Sequence, residues 1–122
     1  MNILCVDDTK AVHAFIDSLF VDVKVSLDHV YSGQEAVDKI KSGETIDLIL
    51  LDWEMPLKTG LETLSEIRSI SSVPVIMVTS RDSPDDLAEA VSLGADEYVM
   101  KPFTSDILFG KIEMVTGSAI GS

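Results

Sequence analysis

A doubly wound α/β domain with a five-stranded parallel sheet and five helices is what this sequence predicts, on three observations. Short apolar runs alternate along the chain with segments whose apolar residues recur at helical spacing. The run Leu48 to Leu51 is unbroken rather than alternating, which suits a strand covered on both faces. Polar residues stand where such runs stop, and in a parallel sheet those ends all emerge on one side. With 122 residues the chain has room for one such domain with a real core, and not for two.

The elements follow in order. Asn2 to Val6 reads as a short buried strand closed by Asp7 and Asp8. Val12, Phe15, Ile16, Leu19 and Phe20 then share a helical face. Val23 to Val30 is strand-like, with β-branched residues and some alternation. Ser32 and Glu35 have capping-box spacing, and Ala36, Val37 and Ile40 supply the apolar side of a second helix that Gly43 ends. The central strand stops at Asp52, Pro56 and Gly60 break the pattern, and Leu61, Leu64 and Ile67 mark a third helix. Val73 to Val78 is a fourth strand, ending at Thr79. Ser83 and Pro84 start a helix with Leu87, Ala90, Val91 and Leu93 on its packing side, and Gly94 stops it. Glu97 to Met100 is the fifth strand, and a last helix from about Thr104 to Val115 carries Ile107, Leu108, Ile112 and Val115.

Composition excludes several classes. Hydrophobic residues make up 46%, which argues against disorder. Nine basic against 21 acidic residues give a net charge of -12, and that balance opposes direct binding to nucleic acid. No apolar run reaches membrane-span length and no basic signal region precedes the first strand, so a soluble cytoplasmic protein is expected. The single cysteine, Cys5, reads as a buried structural thiol. Thr116 to Ser122 lacks periodicity and is expected to fray, with 118–122 a flexible tail.

In the strand order 2-1-3-4-5, a common doubly wound arrangement, the first and third strands are neighbours and a crevice opens between their ends. Asp8 and Asp52 then lie about one strand spacing, roughly 4.8 Å, apart at the backbone. Lys101 starts two spacings from Asp52, with Thr79 between. Asp52 alone reads better as a turn residue or a cap for the helix after Gly60; the convergence of Asp7, Asp8, Thr79 and Lys101 on the same edge reverses that reading. Three carboxylates need cations or raised pKa values. Magnesium, a hard ion that takes a few carboxylates and keeps positions for water and a phosphoryl oxygen, matches the deficit. A carboxylate held there is a competent nucleophile toward phosphorus, and the Thr79 hydroxyl is placed to bond the product.

Asp7-Asp8, Asp52-Trp53-Glu54-Met55-Pro56, Val78-Thr79-Ser80 and Lys101-Pro102-Phe103 resemble the signature of two-component response-regulator receiver domains of the chemotaxis CheY type. The match runs from Ile3 to about Val115, making 1–117 the receiver domain, and the flavodoxin-like strand order used above is borrowed from that fold. The resemblance implies that Asp52 accepts a phosphoryl group from a histidine kinase, a phosphotransfer protein or a small phosphodonor. It implies that Asp7, Asp8, Asp52 and the backbone carbonyl of Glu54 hold Mg2+, that Lys101 pairs with the phosphoryl oxygens, and that the Lys101–Pro102 bond is cis. Thr79 and Tyr98 are the implied switch pair, reshaping the surface of the fourth helix, fifth strand and fifth helix for a downstream protein target. The chain would then be a signalling switch with self-catalysed phosphoryl transfer and autodephosphorylation, not a metabolic enzyme.

His13 stands in the first helix where relatives often carry another polar residue, and is expected to face solvent. Glu54 and Arg81 are placed to pair across the mouth of the site and slow the entry of water. Trp53 and Phe103 are expected to pack, and Met55, Met77 and Met100 likewise. Other classes fit less well. A phosphate-independent binding module would be expected to have lost one of the acids or Lys101. A phosphohydrolase lacks the second acid of an Asp-x-Asp pair, which Glu54 replaces only in part. A flavin-binding protein lacks the phosphate loop after the first strand. No output domain is read within these residues, so the signal is expected to leave by protein contact.

Overall fold

The computed structural model describes residues 1–120. Its elements run β1 (Asn2–Val6), α1 (Lys10–Leu19), β2 (Ser26–Val30), α2 (Gly33–Lys41), β3 (Leu48–Asp52), α3 (Gly60–Ile70), β4 (Val75–Thr79), α4 (Pro84–Ser92), β5 (Glu97–Met100) and α5 (Ser105–Thr116). The five strands are parallel in the order β2-β1-β3-β4-β5, as expected.

Alternate residues of the central strands divide the core into two layers, because successive side chains of a strand point to opposite faces. Leu4, Val6, Ile49, Leu51, Val75 and Met77 pack with residues of α2, α3 and α4, such as Val37, Leu64, Ile67 and Ala90. Ile3, Cys5, Leu48, Leu50, Ile76 and Val78 pack with Ile16 of α1, Phe20 just after it, and Leu108 and Ile112 of α5. Both faces of β3 and β4 are therefore dry, and all five residues of each strand are buried. Burial of each large side chain contributes about 1.5–3 kcal/mol. That rigid centre holds the polar residues at the strand tips.

Several boundaries differ from the sequence reading. The second strand starts at Ser26 because Phe20 to Val25 form a tight turn. Asp22 has φ 66°, and the Val23 and Val25 amides donate to Phe20 and Val23 carbonyls. The fourth strand is shifted to Val75–Thr79, so Thr79 is inside the sheet. Ser32 accepts from the Glu35 amide as expected, yet the Glu35 carboxylate bonds the Tyr31 amide, not that of Ser32. The full capping box is at Thr59 and Glu62, ahead of α3. Ser83 takes the N-cap position without a side-chain cap bond. Phe15, Val91 and Ile107, read as packing residues, are exposed at the margins of their helical stripes.

Gly117, at φ 73°, ends α5, and the chain then folds back. Ile120 is 8% exposed against the α1/α5 layer and its amide donates to Glu113. Of the segment expected as a flexible tail, Ser118 and Ala119 are exposed and Ile120 is packed; residues 121 and 122 lie outside the described residues.

Candidate functional site

Register explains why the polar residues converge. Val6 pairs with Leu51, Asp52 with Val78, and Thr79 with Met100. Asp7, one residue past β1, is therefore level with Asp52, while Thr79 and Lys101 each stand one step beyond a paired neighbour. Asp7, Asp52 and Thr79 are buried and Asp8 is exposed, so the group has a closed floor and an open mouth.

Asp7, Asp8 and Asp52 each bring a carboxylate oxygen within 4.8 Å of the others. Lys101 Nζ donates to Asp52 Oδ1 at 3.2 Å and lies 3.6 Å from Asp7 Oδ2. Asp7 Oδ1 accepts from both the amide and the hydroxyl of Thr9, each at 2.9 Å, which fixes the carboxylate's orientation. Burial, then the Asp7 charge, pushes the Asp52 carboxyl above the ordinary range, and Lys101 opposes them without cancelling them. One ammonium against three carboxylates leaves an excess of negative charge. An all-oxygen donor set with that excess, open on one side, suits a hard divalent cation such as Mg2+.

The implied switch residues are nearby. The Lys101–Pro102 peptide is cis, and the Lys101 amide donates to the Thr79 carbonyl at 2.8 Å. Thr79 Oγ1 accepts from the Arg81 amide at 2.9 Å. Tyr98 is partly buried in β5, with Lys111 Nζ 5.2 Å from its ring centre. At the mouth, Arg81 Nε donates to Glu54 Oε1 at 2.6 Å, and its Nη1 reaches Asp86 at 3.2 Å. The same guanidinium lies 5.2 Å over the Trp53 ring, and Trp53 is buried. Asp86 and Trp53 complete this rim cluster, although neither stood out as its partner in the sequence.

One sequence expectation is overturned. His13 does not face solvent: it is 4% exposed and its Nε2 lies 2.8 Å from the Asp7 carbonyl. Its position at i−3 and i−7 from Ile16 and Phe20, both buried, was the available signal. Thr9 and His13 thus hold the two ends of Asp7, and Gly60 backs Asp52. A Cβ on Gly60 would stand 2.3 Å from the Asp52 carbonyl oxygen and 2.7 Å from Trp53 Cα. Cys5 is buried, as expected, and its thiol is pushed up to about 12 by burial and then by Asp17, Asp28 and Asp7.

Comparison with known proteins adds the following. The family described as "Response regulator receiver domain" matches residues 3–113. The transcriptional regulatory protein DltR of Streptococcus agalactiae is 33% identical over 117 residues, which cover 95% of this chain and 52% of that protein. The chain thus spans about half the length of that relative. The chemotaxis protein CheY of Pseudomonas aeruginosa is 34% identical over 94% of this chain and 95% of its own length. Among solved structures, the receiver domain of a Pseudomonas aeruginosa sensor histidine kinase has a TM-score of 0.85 at 26% identity. The likeness covers 96% of this chain and 98% of that one, which has magnesium coordinated in its active-site cleft. No helix among the described residues is long and apolar enough to cross a membrane.

Proposed function

The chain belongs to the response regulator receiver domain family, and from that premise we propose that Asp52 is the phosphoacceptor of a two-component system. The observation that supports this reading is the cluster itself: Asp52 level with Asp7, three carboxylates within 4.8 Å, and one lysine bonded to the acceptor. A carboxylate oxygen of Asp52 forms the new P–O bond as the donor's bond to phosphorus breaks. Asp7, Asp8, Asp52 and the Glu54 backbone carbonyl would hold Mg2+. When bound, that ion neutralises charge on the transferring group. Lys101 meets the developing negative charge on the phosphoryl oxygens.

The donor is a histidine kinase or phosphotransfer protein, and the output is a contact with a downstream protein rather than with nucleic acid. Turning Thr79 Oγ1 toward a phosphoryl oxygen costs its bond from the Arg81 amide. That exchange couples the site to the loop before α4 and to Tyr98, a population shift driven by a local charge change. The α4–β5–α5 surface carries the change to the target. The Glu54–Arg81 contact hinders attacking water and prolongs the phosphorylated state. We place the protein in the cytoplasm, with autophosphorylation and autodephosphorylation as its only chemistry.

The test is to supply magnesium and a small phosphodonor and to follow intact mass together with Trp53 fluorescence. A gain of one phosphoryl group by the wild-type chain, absent in Asp52→Asn, is the expected result. An unmodified wild-type chain, or an equally modified variant, would overturn the reading.

A further inference from the structure

On the α1 side of the sheet, two histidines meet in a contact that phosphoryl transfer does not use. His13 is buried in α1, and His29, with 21% of its side chain exposed, lies on the edge strand β2. Their Nδ1 atoms face each other at 2.5 Å. Both outer nitrogens are already committed. The Asp7 carbonyl, 2.8 Å from His13 Nε2, can only accept, so that nitrogen carries its proton. The Asp17 carboxylate, 2.7 Å from His29 Nε2, accepts in the same way. An imidazole that carries its N–H at Nε2 presents Nδ1 as an acceptor lone pair. The two Nδ1 atoms then meet 2.5 Å apart, a spacing that needs a cation between them, either a proton on one ring or a metal ion.

We propose that His13 and His29 form a second cation site, separate from the three-aspartate pocket, taking a borderline divalent transition metal such as zinc, nickel or copper through their two Nδ1 atoms. Imidazole nitrogen suits such metals, whereas magnesium prefers oxygen. Ligating histidines almost always donate their other N–H to a carboxylate or a backbone carbonyl, and this pair has one of each. The field is favourable as well: Cys5, which pairs with His29 across the β1–β2 ladder, feels Asp17, Asp28 and Asp7 together. Zinc–nitrogen bonds are about 2.0–2.1 Å, so two ligands at the tetrahedral angle stand roughly 3.3 Å apart. The rings must therefore part by about 0.8 Å to admit the metal. His29, on an edge strand with 21% of its side chain exposed, is the ring that would move, and water would complete the coordination.

The experiment is a zinc titration of the full chain in excess magnesium, read by the imidazole proton and nitrogen resonances of both histidines. The Nδ1 signals of His13 and His29 are expected to shift together and saturate at one equivalent, in the wild type and in Asp52→Asn alike. His29→Gln, folded by circular dichroism, abolishes the response. Asp17→Ala, which only frees the outer N–H of His29, weakens zinc binding about 10–100-fold. Rings that stay silent as zinc is added overturn the proposal. So does a single proton resonance shared between the two Nδ1 atoms that persists throughout, which would make the pair a hydrogen bond. No phosphodonor enters the measurement, so failure here leaves the phosphoacceptor reading untouched.

Discussion

Two acidic clusters lie at the same edge of the sheet, and each surrounds one base. In the pocket, Asp7 and Asp52 share Lys101, with Asp8 beside them; on the rim, Glu54 and Asp86 share Arg81. The rim side chains of Glu54 and Arg81 are 64% and 39% exposed, so water and salt screen what the guanidinium leaves over. In the pocket Asp52 is 5% exposed, and its carboxyl is pushed upward despite the lysine. Equal chemistry thus has unequal cost: an excess of negative charge is tolerated outside and creates a demand for a cation inside. Perturbing each cluster in turn can break or sharpen that contrast.

The largest effect is expected from Lys101→Ala. Among the described residues the ammonium is the one cation bonded to Asp52, and in the proposed transfer it meets the charge that develops on the phosphoryl oxygens. Phosphorylation by a small donor should slow by about 100-fold or more, the usual cost of losing one preorganised donor. Retention of the wild-type rate would place the lysine on the same footing as a rim residue.

Gly60→Ala comes next. The added methyl meets backbone at Asp52 and Trp53 rather than the end of a flexible side chain, so the β3–α3 loop has to shift. A loss of about 1–3 kcal/mol is expected from such overpacking, measured by denaturant unfolding, with weaker magnesium binding alongside. A variant that melts like the wild type would show that the floor of the pocket is softer than the register implies.

Much of this arrangement was legible in the letters, for physical reasons. β1, β3 and the site residues at their ends could be read because a doubly covered strand needs an unbroken apolar run, and the run stops where the ligand edge begins. Val23 and Val25 carry β propensity that the turn after α1 overrides, so β2 begins only at Ser26. The burial of His13 is hard to read from spacing because its partners, the Asp7 carbonyl and His29, come from outside α1. Only the i+3 and i+7 stripe with Ile16 and Phe20 hinted at burial. Asp86 joins Arg81 through the path of α4, which composition and spacing do not reveal.

Asp52→Asn in the absence of metal tests the pocket's cost through pH. A carboxyl raised in the folded state binds more protons than in the unfolded chain at pH values between the ordinary and the raised pKa. Wild-type stability should therefore fall as pH rises through that window and level off above it. The variant should lack this fall and be the more stable of the two at neutral pH, as judged by melting temperature. Saturating magnesium should close the gap by stabilising the wild type, by about 2.7 kcal/mol at a free concentration ~100 times the dissociation constant. Parallel pH profiles for the two proteins would mean that Lys101 already balances the site.

The smallest effect on the fold, and the sharpest test of the contrast, comes from Glu54→Ala and Arg81→Ala. Both ends of this pair are open to solvent, so removing either should leave the melting temperature within error and phosphoryl uptake near normal. What should change is the lifetime of the phosphorylated chain. Without the bridge from Glu54 to a guanidinium seated on Trp53 and Asp86, the mouth above Asp52 is wider and attacking water arrives more often. Faster decay in both single variants, and no further gain in the double, is the signature of one shared barrier. Unchanged decay in both would leave the rim as solvated surface, and the chemistry of the edge would then rest with the pocket alone.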